Sequence, residues 1–121
     1  MTSAKSDLVR LRHILEAAKK ALLFTGGKSR SDLNTDEKLS LALVRLLEII
    51  GEAATKVTPE TMKRHEFLPW KRMIGTRNRL IHAYDQVDLD VLWQIVSEDL
   101  PPLVNELQKV IDQEEQQQKL L

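Results

Sequence analysis

The sequence has no cysteine, and only four prolines, four glycines and five aromatic side chains among its 121 residues. Without cysteine there are no disulfides, no thiolate zinc sites and no Cys nucleophile. The three histidines, His13, His65 and His82, are too dispersed to read as a metal site, so neither a metal nor a cofactor is expected. No stretch approaches the ~20 apolar residues of a membrane span. Met1 to Arg12 has no apolar run of signal-peptide length, which makes a cytoplasmic protein without membrane contact the expectation. With 42% apolar and 30% charged residues the chain is not a low-complexity or disordered polymer. Its length fits one domain and excludes two.

Charge of one sign is also lacking overall, with 18 basic and 18 acidic residues, but the balance is uneven along the chain. Residues 1–55 hold nine basic and seven acidic side chains, residues 56–84 seven and two, and residues 85–121 two and nine. A basic centre joined to an acidic C-terminal third serves either an anionic partner or mutual neutralisation across packed helices.

What is present is helical periodicity. Leu8, Leu11, Leu15, Ala18 and Leu22 recur at steps of three and four, predicting a helix from about Ser6 to Phe24. Gly26-Gly27-Lys28-Ser29 lacks the preceding strand and the Gly-x4-Gly-Lys frame of a phosphate loop, and reads as the end of that helix. Asn34 and Glu37 have capping-box spacing before the apolar run from Leu39 to Val57. That second helix is apolar over more than half its circumference, which requires a central place in a bundle or a share in a second subunit. Thr58-Pro59-Glu60 starts a short turn to about Arg64, and Pro69 starts a third, basic helix through Trp70, Met73, Ile74, Leu80 and Ile81. Asp88 and Asp90 open a fourth helix, which Pro101-Pro102 kinks or restarts before Leu103, Leu107 and Val110. No strand alternation and no repeat occurs. The fold expected is all-α, an antiparallel bundle of four to five helices over residues 1–112, with a polar tail, 113–121, that frays.

Chemistry concentrates in Arg77-Asn78-Arg79-Leu80-Ile81-His82-Ala83-Tyr84. On one continuous helix Asn78 and His82 lie about 40° apart, within i,i+4 hydrogen-bond reach, whereas Arg77 and His82 lie about 140° apart. Joint action of Arg77 and His82 then needs a long swing of the guanidinium, a loosened helix or a residue from a second subunit. A His titrating near neutral pH can exchange a proton with a ribose 2′-hydroxyl or a leaving oxygen, and an Arg can bind phosphate bidentately. Those parts suffice for RNA cleavage without a metal ion; Glu48 and Glu52 are the nearest approach to a carboxylate pair. The bland alternative is that His82 caps a helix, Arg77 and Arg79 pair with Glu52, Asp85 or Asp88, and Tyr84 fills a groove.

Arg77, Asn78, His82 and Tyr84 match an R-x4-H-x-Y signature with a polar residue after the Arg. Glu48-Ile49-Ile50-Gly51-Glu52-Ala53, Leu68-Pro69-Trp70 and Trp93 match the blocks around it. In this the chain resembles the HEPN superfamily, and within it the HepT-like toxins encoded beside a minimal nucleotidyltransferase (MNT) antitoxin, from Leu8 to Leu107. The resemblance implies a helical homodimer whose facing motifs form one cleft, and metal-independent endoribonuclease cleavage of cellular RNA. It assigns acid–base work to His82, phosphate binding to Arg77 and a supporting role to Asn78, and makes Tyr84 the residue that the antitoxin modifies with AMP. Two other readings remain, a non-catalytic subunit that binds a nucleotide or a nucleotidyltransferase partner, and a purely structural dimerisation module.

Overall fold

A computed structural model of the chain describes residues 3–81 and 86–120. The leucine and alanine stripe of the first segment forms α1 (Ser3–Thr25), longer at both ends than its apolar spacing predicts. Gly27, at a φ of 76°, ends it in a left-handed conformation that suits glycine. A one-turn helix, α2 (Asp32–Thr35), and then α3 (Glu37–Thr55) follow.

The start of α3 corrects one expectation. Asn34 lies inside α2, and the cap is Asp36, whose side chain accepts from the Leu39 N–H at 3.0 Å. Asp36 has the non-helical backbone that an N-cap requires, directly before the first helical residue. Thr58 does sit before α4 (Pro59–Arg64) with Pro59 in the first turn, although its hydroxyl serves α1 rather than its own helix.

The basic helix divides into α5 (Trp70–Ile74) and α6 (Thr76–Leu80). The Thr76 hydroxyl donates back to the Arg72 carbonyl at 2.8 Å, and Gly75 takes a backbone conformation outside the helical basin. Beyond Leu80 the backbone of Ile81 is extended and pairs with Val87, while the Asp88 N–H donates to the Leu80 carbonyl at 2.8 Å. Asp88 then caps α7 (Leu89–Gln94), accepting from the N–H groups of Asp90 and Val91 as expected. Of the kink or restart expected at the proline pair, the restart is found: a π-helical turn at Ile95–Asp99 leads into α8 (Leu100–Lys119), which has proline in its first turn.

Contacts between helix ends set the directions. The carboxylate of Asp7, near the start of α1, accepts from the Thr58 N–H at 3.0 Å, just past the end of α3. The Gln118 side chain donates to the Ala4 carbonyl at 2.9 Å, so the end of α8 also meets the start of α1. Both long neighbours are thus antiparallel to α1, and Leu11, Ile14, Leu43, Leu47, Ile50, Leu107 and Val110 close the core between them. Each such side chain contributes roughly 1.5–3 kcal/mol by leaving water.

The wide apolar face of α3 is covered within the chain, by α1 on one side and by α5, α6 and α7 on another. Its breadth therefore reflects a central place in the bundle; Leu41, 62% exposed, is its main uncovered apolar side chain. The segment expected as a polar tail, 113–121, is helical through Lys119. Helix α8 continues to Lys119, because Glu114 is buried and Arg64 pairs with it at 2.6 Å. No helix among the described residues is long and apolar enough to cross a membrane.

Candidate functional site

Helix α6 carries Arg77 and Asn78, and Arg77 lines one side of a groove of about 320 Å³, whose lining does not include Asn78. Leu47 and Gly51 lie toward its floor, Glu48, Glu52 and Thr55 line the α3 side, and Ile74 and Arg77 the other. His82, Tyr84 and Asp85 lie outside the described residues. Because α6 ends at Leu80, the continuous-helix angles that related Arg77 and Asn78 to His82 do not apply, and the predicted i,i+4 bond from Asn78 loses its helix. Among the described residues Asn78 has no hydrogen-bond partner.

Close approach of α5 to α3 makes this groove. A Cβ on Gly51 would lie 2.9 Å from the Met73 carbonyl oxygen, nearer than real Cβ contacts allow. The obstacle is backbone, so a larger residue must push α3 and α5 apart. Gly51→Ala is expected to cost about 1–3 kcal/mol by overpacking, measured by urea denaturation; an unchanged midpoint would show that the helices yield freely. An isolated Gly in an otherwise continuous helical pattern was the sequence signal for this approach.

The basic segment resolves into used and unused charge. Arg64 pairs with Glu114, and Arg72 and Arg79 both reach Asp99, at 3.0 and 3.3 Å. Basic centre and acidic third thus neutralise each other across the fold, with Asp99 delivered by the π-helical turn. Sequence reasoning missed Asp99, since nothing in its spacing marks it as the shared acceptor. Arg77 is different: it is exposed and its side chain makes no hydrogen bond or ion pair among the described residues. Arg79 thus meets Asp99, an acid the bland alternative did not name, and the Arg77 side chain has no partner among the described residues, outside which Asp85 lies. An exposed, unpaired guanidinium on a groove wall presents its donor fork to an incoming phosphate.

No three His, Asp or Glu side chains among the described residues converge as a metal-ligand set. Of the tryptophans, Trp70 is buried with its indole N–H donating to the His65 carbonyl at 3.0 Å, and Trp93 is half-buried. Neither offers an open stacking face for a base.

Comparison with known proteins gives a consistent result. Residues 14–110 match the family model described as ribonuclease HepT-like. A Thermococcus cleftensis protein, whose name proposes a ribonuclease of the HepT type, is 39% identical over 100 residues, covering 83% of this chain and 91% of that protein. A Methanocaldococcus jannaschii protein, whose name proposes an RNase, is 37% identical over 100 residues, covering 83% and 92%. A third, from Caldanaerobacter subterraneus and also named for a proposed RNase activity, is 34% identical over 104 residues, covering 86% and 93%. No solved structure gives a significant match.

Proposed function

The chain belongs to the HepT-like ribonuclease family of the HEPN superfamily, and from that premise we propose that it is the toxin of a toxin–antitoxin pair, an endoribonuclease cutting cellular RNA in the cytoplasm without a metal ion. The observation that carries this reading is the state of Arg77. Of the four arginines in the basic segment it is the one without a protein partner among the described residues.

The chemistry proposed is internal transesterification. The ribose 2′-oxygen attacks the adjacent phosphorus as its proton passes to a neutral His82, and the bond to the 5′-oxygen breaks as that oxygen gains a proton. The products are a 2′,3′-cyclic phosphate and a 5′-hydroxyl. Two proton positions are needed in one passage, and a homodimer supplies them, one His82 as base and the second copy's protonated His82 as acid. Arg77 stabilises the charge that gathers on the non-bridging oxygens. Two-metal cleavage calls for several converging carboxylates, whereas Glu48 and Glu52 are the only acids lining this groove among the described residues.

Silencing is assigned to a cognate MNT-type nucleotidyltransferase that attaches AMP to Tyr84. The adduct adds bulk and negative charge where an RNA phosphate must bind. The test is incubation of antitoxin-free protein with total RNA in excess EDTA, with intact mass measured on the same preparation. Cleavage by unmodified protein, lost when Tyr84 carries AMP, is the expected result. Absence of cleavage by unmodified, dimeric protein would overturn the enzyme in favour of the binding subunit.

A further inference from the structure

The sequence holds eight arginines. Five are committed to acids of the same chain: Arg12 to Glu115, Arg30 to Asp90, Arg64 to Glu114, and Arg72 and Arg79 to Asp99. The other three, Arg10, Arg45 and Arg77, have no partner among the described residues, and all three border the same outer stripe of α3. Arg77 lies on the groove already described. Across α3 a second groove of about 140 Å³ is lined by Arg10 and His13 of α1 and by Ile49, Ala53 and Lys56, and Glu52 lines both grooves. Lys56 is likewise without a partner among the described residues. Arg45 precedes Glu48, Ile49 and Glu52 by three, four and seven residues, so it stands on this stripe one to two turns nearer the start of α3.

Ion pairing elsewhere in the fold makes this location informative. A polyanion is attracted to cations that have no internal counter-charge, and each phosphate it places on one releases condensed counterions. We propose that the stripe of α3 bearing Arg45, with Arg10 and Lys56 beside it, holds the phosphodiester backbone of the single-stranded RNA flanking the cleavage point. The surface extends the Arg77 groove and rests on the RNA-cleavage reading. Glu52, on the wall between the grooves, repels phosphate, so the strand passes it with a sugar hydroxyl or a base amine facing the carboxylate.

The experiment uses a 2′-O-methyl RNA oligonucleotide, whose blocked 2′-oxygen cannot attack, and measures fluorescence anisotropy over a salt series. Arg10→Gln, Arg45→Gln and Lys56→Gln are compared singly and together with Lys109→Gln, a control in which the altered lysine instead faces Glu106 on α8. Each of the three is expected to lower the slope of log affinity against log salt by about 0.7. Together they are expected to weaken binding at least tenfold, and the control to change neither quantity. Normal affinity and slope in the triple variant, with wild-type cleavage intact, would overturn this surface and leave the ribonuclease reading standing. A wild type that neither binds nor cleaves RNA would overturn both. A triple variant that changes oligomeric mass would overturn the RNA surface in favour of contact between copies through this stripe.

Discussion

Replacing His82 with alanine is expected to reduce RNA cleavage by about 100- to 10,000-fold, the range for losing a positioned proton-transfer group. Arg77→Ala is expected to fall in a similar range, because a lost donor to the developing phosphate charge costs about 100- to 1,000-fold. Arg77→Lys keeps the charge but not the planar fork, so only part of the rate should return. Single-turnover cleavage of a labelled RNA measures all three, and the cyclic phosphate end identifies the reaction. Arg77 is exposed and its side chain is unpaired among the described residues, so its removal breaks no side-chain hydrogen bond or ion pair there, and folding should survive. Cleavage by His82→Ala at the wild-type rate would remove His82 from the mechanism.

The largest structural effect is expected where the start of α1 meets the end of α3. Asp7 is 1% exposed, and its carboxylate accepts from the Thr58 N–H at 3.0 Å and from the Thr58 and Thr61 hydroxyls at 2.6 Å each. These bonds tie the first turns of α1 to the start of α4. Arg64 extends the network, donating both to the Thr61 hydroxyl at 3.0 Å and to buried Glu114 of α8. Asp7→Ala leaves one N–H and two hydroxyls without their acceptor, and a hydrogen bond to a charged group contributes about 1.5–3 kcal/mol net, part of which returns where water reaches the vacated site. A loss of roughly 3 kcal/mol is therefore expected in urea denaturation. Asp7→Asn keeps one acceptor oxygen and should lose less. Indistinguishable midpoints for wild type and Asp7→Ala would show that the network contributes nothing net. Since Asp7 does not line the Arg77 groove, cleavage per folded molecule should persist.

Helix α1, the apolar run of α3, the Thr58-Pro59 start of α4 and the Asp88 cap of α7 were all legible in the sequence, because each depends on residues within a turn or two of one another. Basic and acidic segments that compensate each other were legible too. The division at Gly75 and the end of α6 at Leu80 were not, since apolar spacing continues through both. Thr76 turning back on the Arg72 carbonyl and the Ile81–Val87 pairing end those helices, and neither leaves a periodic trace. The polar composition of 113–121 was misleading for a related reason: Glu114 is held by Arg64, fifty residues earlier.

By itself, then, the sequence determined an all-α chain of the HEPN type and nominated the residues proposed to bear its chemistry, because periodicity and motif spacing are local properties. Which arginine of the basic segment goes unpaired among the described residues was decided only in three dimensions. Arg77 and Arg79 are two residues apart and alike in type, yet Arg79 meets Asp99, carried to it by a π-helical turn, while Arg77 faces the α3 groove. Pairing depends on distance between side chains from remote parts of the chain, and only packing sets that distance.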